Sequence, residues 1–92
     1  MYDPSKGTTP PRWIQGTWTV KVSYGTLRIV IKGRKVWESV NGGEPSEGEF
    51  YYHDGKLWCR FGEDSAQPFV YALDEERRLI DAGQGLFMEK VR

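Results

Sequence analysis

The chain has one cysteine and one histidine among 92 residues. A single cysteine excludes an internal disulfide and any multi-cysteine zinc site, and a single histidine excludes histidine-rich metal centres. Net charge is absent as well, since thirteen Lys and Arg balance thirteen Asp and Glu. Proteins that sit on nucleic acid or an anionic membrane carry a clustered basic excess, so neither partner is expected. No stretch approaches the ~20 apolar residues of a membrane span. No apolar 3.6-residue period is long enough for a helix, and at most one short helical turn fits at residues 74–78. Catalytic signatures are missing: there is no G-x-S-x-G, no Gly-rich phosphate loop and no catalytic carboxylate pair, and Gly83-Gln84-Gly85 reads as a tight turn. No enzyme activity, cofactor or metal is expected, and His53, the one histidine that could serve as an axial haem ligand, falls on an outward strand face.

What the chain does have is turn formers and rings: eleven Gly and five Pro, with four Trp, five Tyr and four Phe. Large aromatic side chains give a short chain the buried area it needs. The length is that of one domain. Residues 1–12 read as a disordered polar leader, because Pro4, Gly7 and Pro10-Pro11 favour an extended, largely unfolded segment. Residues 13–92 form the single folded domain. The leader lacks the charged start and apolar run of a signal peptide. If Met1 is the native start the expected compartment is cytoplasmic; otherwise the protein is an exported one whose signal has been removed. A lone cysteine fits either.

From residue 14 onward, β-rich runs alternate with turn signals. Turn centres fall at 24–25, 33–34, 42–43, 54–55, 63–64, 75–76 and 83–85, at spacings of about 8 to 13 residues that suit a sandwich or barrel. Asp54-Gly55 is the strongest hairpin signal, since both residues tolerate the positive φ of a type I′ turn. Side-chain alternation sets Ile14, Gly16, Trp18, Val20 and Val22 on one face of the first strand. It puts Leu27, Ile29 and Ile31 inside the second, and Phe50 and Tyr52 inside the fourth. Leu57, Cys59 and Phe61 follow in the fifth, Phe69, Tyr71 and Leu73 in the sixth, and Leu86 and Met88 in the last. Strands three and seven are ambiguous. Val36 and Val40 point inward only together with Glu38, and Leu79 shares its face with Asp81. Short turns place sequence neighbours side by side. Closing the first strand onto the last removes two raw edges. The expected fold is all-β: an eight-stranded antiparallel up-and-down meander barrel.

Gly16-Thr17-Trp18 on the first strand, short hairpins after it and a basic residue on the last strand (Met88-Glu89-Lys90-Val91-Arg92) resemble the lipocalin-like, or calycin, families. The later segments Gly48-Glu49-Phe50, Asp54-Gly55-Lys56-Leu57, Tyr71-Ala72-Leu73-Asp74 and Gly85-Leu86-Phe87-Met88 look like the small bacterial lipocalin-like proteins, over residues 13–92. The resemblance implies that Trp18 closes one end of the barrel and that Lys90 or Arg92 packs across its ring, a cation–π contact worth ~0.5–2 kcal/mol. It also implies a carrier of small hydrophobic or amphipathic molecules. The strands here are shorter than those of ligand-carrying lipocalins, and a small eight-stranded barrel is filled by side chains or holds one small ligand.

Two binding readings follow, with a packed core as the alternative to the first. A ligand inside the barrel would be lined by Trp18, Phe50, Tyr52, Cys59, Phe61, Tyr71 and Met88, with aromatic walls and sparse polar points. On the outside, Trp37, Tyr51, Trp58 and Val70 would form one apolar stripe if the third strand turns Trp37 outward. Such a stripe suits a protein partner or a homodimer. Glu47, Glu49 and His53 share a strand face, but i to i+6 spans ~20 Å, too far for one metal. The Asp74-Glu75-Glu76-Arg77-Arg78 run reads as a solvated turn. Cys59, on an apolar face, reads as an inert buried thiol.

Overall fold

The computed structural model describes residues 2–62, 69–83 and 85–91. Among them eight strands are formed: β1 (Gly16–Val22), β2 (Gly25–Lys32), β3 (Lys35–Val40), β4 (Ser46–His53), β5 (Lys56–Phe61), β6 (Phe69–Asp74), β7 (Leu79–Gly83) and β8 (Leu86–Lys90). Each pairs antiparallel with the next, and β8 returns to β1, so the sheet is a closed up-and-down barrel. No helix among the described residues is long and apolar enough to cross a membrane. The hairpin chemistry is local. Asp54 and Gly55 take φ values of 54° and 71°, as a type I′ turn requires. Asn41, also at positive φ, accepts a hydrogen bond from Thr26 N–H and donates one to the Tyr24 carbonyl. That ties two turns at one end of the barrel. Residues 63–64 and Gln84, where two further turns are expected, lie outside the described residues.

Alternation decides what faces inward. Ile29, Ile31, Val36, Leu57, Cys59, Ile80 and Met88 are almost wholly buried and join Trp18, Leu27, Phe50 and Tyr71 in one core cluster. The two ambiguous strands are resolved by burial. Val36 points into the core of β3, which carries Glu38 to the same face, and Ile80 points inward from β7, which leaves Leu79 and Asp81 on the outer face. Two inward assignments need correction. Ile14 is fully buried but belongs to a 3-10 turn, Arg12–Ile14, that precedes β1. Phe69 is 57% exposed, because it opens β6 at the rim, where it meets Phe61 edge-on at 5.7 Å.

The leader, too, differs from the extended, unfolded segment expected. Pro4–Lys6 form a 3-10 turn whose N-cap, Asp3, accepts from Ser5 N–H. Thr8 N–H donates to the Tyr52 carbonyl at 2.8 Å, adding a bridge to β4. Tyr2 meets Tyr51 edge-on at 5.1 Å, and the Arg60 guanidinium lies 4.7 Å from the Tyr2 ring centre. The ordering comes from partners some fifty residues away, which local composition does not register.

Gly48 marks a close approach between neighbouring strands. It pairs with Val36 on one side and Phe61 on the other. A Cβ there would overlap the Arg60 carbonyl oxygen and come within 2.8 Å of Phe61 Cδ1. Gly48→Ala is expected to lower stability by ~1–3 kcal/mol, the usual cost of overpacking, read as a lower urea midpoint at unchanged slope. An unchanged midpoint would contradict this packing.

Candidate functional site

The seven residues expected to line a ligand cavity do converge on the interior, but they fill it. Trp18, Phe50, Cys59, Tyr71 and Met88 are at most 7% exposed and belong to the core cluster, with Tyr52 and Phe61 packed against it. Tyr71 Oη donates to Glu38 Oε2 at 3.3 Å. Burial raises the Glu38 carboxyl above its usual range, and the Tyr71 hydrogen bond opposes that only in part. Burial and the nearby Glu38 push the Tyr71 phenol far up. Burial, aided by Glu38, pushes the Cys59 thiol up to about 12, so it is no nucleophile near neutral pH. No buried side-chain nitrogen or oxygen among the described residues lacks a partner.

The end of the barrel where β1 begins carries a different arrangement. Trp18 Nε1 donates to the Ile14 carbonyl at 2.8 Å, which holds the indole beneath the 3-10 turn. Lys90, paired with Trp18 across the β1–β8 seam, places Nζ 5.2 Å from the Trp18 ring centre and donates to the Trp13 carbonyl at 2.6 Å. Lys90 thus provides the cation of the two expected; Arg92 lies outside the described residues. Trp13 meets Trp18 edge-on at 5.9 Å. Beside this pair opens a cleft of about 540 Å³, whose other walls are Arg77 and Arg78 from the β6–β7 turn, Leu79 at the start of β7, and Glu89 and Lys90 from β8. Arg77 is partly committed, with Nε 2.7 Å from Asp74 Oδ2 and its guanidinium 4.4 Å from the Phe87 ring centre. Trp13 and the turn arginines were not candidates from the sequence, where the charged run reads as a solvated turn. Parity of a meander is the signal that locates them. In a closed up-and-down barrel the β2–β3, β4–β5 and β6–β7 turns share the end where β1 starts.

The outer stripe does not form as expected. Tyr51, Trp58 and Val70 are in register across β4, β5 and β6, and Tyr51 stacks on Trp58 with rings 3° apart. Tyr51, however, is only 7% exposed, because the leader lies over it. Trp37 does leave the core face, but it pairs with Glu47, four residues from Tyr51 along β4. Ion pairs Lys35–Glu47 and Arg60–Glu49 lie on that side of β4. Trp37 Nε1 bonds to Glu47 Oε1, and Trp58 Nε1 to the His53 carbonyl. The aromatic stripe is therefore broken by charge and half covered.

Compared with protein-family models, curated proteins and solved structures, the chain matches none. The class that fold and site define is a small closed β-barrel with a packed interior and a charged, indole-lined cleft at one end.

The raised Glu38 carboxyl makes a checkable statement about pH. The fold holds this proton to higher pH than the unfolded chain does, so its contribution to stability is complete below the ordinary glutamate pKa of ~4.3 and is lost as pH rises through the folded value. Glu38→Gln keeps an acceptor for Tyr71 but cannot ionise. Urea unfolding across pH is expected to show the variant more stable than the native chain at neutral pH, with the gap closing in acid. A gap that widens in acid would contradict the shift.

Proposed function

We propose that this is a non-catalytic binding protein, lipocalin-like in build, that takes a small amphipathic molecule at the Trp18 end of its barrel. The observation that carries this reading is the contrast between a filled interior and the open cleft against Trp13 and Trp18. A volume of about 540 Å³ falls within the ~300–1,000 Å³ of small-molecule sites. Indole and leucine surfaces supply apolar burial, and the surrounding basic groups supply orientation. The interior reading that the family resemblance implies has less support, because its seven lining residues already occupy one another. The test is a titration with the neutral dye N-phenyl-1-naphthylamine, followed by tryptophan quenching and dye emission. One site per chain is expected, weakened by Trp13→Ala and by Leu79→Gln and kept by Tyr71→Phe, each variant checked for folding by circular dichroism. Loss in Tyr71→Phe with retention in Trp13→Ala would place the ligand inside instead.

A second reading, an interaction module with a filled barrel, is favoured by one observation. Phe69 and Val70 are 57% and 43% exposed at the start of β6, beside the half-buried Trp58. If this face makes a homodimer, the native chain elutes as a dimer and Val70→Glu as a folded monomer. A native chain that is monomeric at high concentration would remove the homodimer.

A further inference from the structure

The cleft at the Trp18 end carries an excess of basic side chains. Three cations, Arg77, Arg78 and Lys90, border it against one carboxylate, Glu89. Arg77 is shared between Asp74 and the Phe87 ring. Lys90 spends one of its three N–H donors on the Trp13 carbonyl and rests on the Trp18 ring, which leaves two donors. Arg78 makes no ion pair among the described residues. It is exposed, and its backbone sits at φ 56°, a region where Asn, Asp or Gly is the more usual occupant. Arg78 thus lines the cleft from a turn backbone that does not favour an arginine.

Resting on the reading of this cleft as a binding site, we infer that its ligand is an organic anion: a flat apolar body bearing one carboxylate, sulfonate or phosphate. The body lies against Trp13 and Leu79, and the anionic group meets Arg78 and the free donors of Lys90. Arginine suits such groups because its planar fork matches two oxygens at once, while Lys90 contributes a point charge. Partial exposure makes the recognition salt-dependent, since charges near solvent are screened within a Debye length of ~8–10 Å.

The test compares two probes that share one body. 1-Anilinonaphthalene-8-sulfonate carries the anion, and N-phenyl-1-naphthylamine lacks it. The full chain is expected to bind the sulfonate at one site at least tenfold more tightly, with affinity falling as salt rises, while the neutral dye is indifferent to salt. Arg78→Asn, which suits the left-handed backbone, is expected to weaken the sulfonate about fivefold and leave the neutral dye unchanged. Arg28→Gln makes the same charge change on the exposed part of β2 and is expected to alter neither. Equal, salt-insensitive binding of both dyes overturns the anion preference while the binding site itself stands. Binding of neither dye overturns both. Sulfonate binding that ignores Arg78→Asn, or that responds equally to Arg28→Gln, overturns the assignment to this cleft.

Discussion

The barrel is closed by a short seam. β1 and β2 share seven residue pairs, whereas β1 and β8 share Trp18–Lys90 and Thr19–Glu89, extended by Val91 N–H donating to the Thr17 carbonyl. Without that seam the sheet would present two open edges, each a row of unpaired backbone groups. Trp18 reinforces it from several directions. Its indole N–H is held by the Ile14 carbonyl, its ring carries the Lys90 ammonium, and its edge meets Trp13. One side chain thus joins the core, the seam and the turn that crosses the barrel's end. The cleft lies between the residues that close this end and the β6–β7 turn.

Closure around large side chains leaves the interior with little to offer a ligand. An eight-stranded barrel encloses roughly the volume its own inward residues fill, and here those include Trp18, Phe50, Tyr71 and Met88. Its polar groups are drawn into one another, as the Glu38–Tyr71 bond illustrates. Neutral groups are the ones an apolar interior tolerates, and burial shifts all three of Glu38, Tyr71 and Cys59 toward their neutral forms. Recognition is consequently pushed to the ends and the outer surface. The leader takes part of that surface for itself by covering Tyr51.

Strand periodicity and turn chemistry were sufficient for the all-β class, the up-and-down order and most of the core, since period-two alternation is a local property that burial then enforces. Gly16-Thr17-Trp18 also pointed to the closed end, and Lys90 took the position that the resemblance implied for a cation. Tertiary structure alone decided the rest. Whether the interior is empty depends on summed side-chain volume in a closed space. Whether Tyr51 is wet depends on a leader some fifty residues away. Whether Trp37 joins Tyr51 depends on the β3–β4 register, and the cleft assembles from four segments that meet only once the sheet has closed. These are long-range contacts, and a linear pattern carries alternation but neither register nor volume.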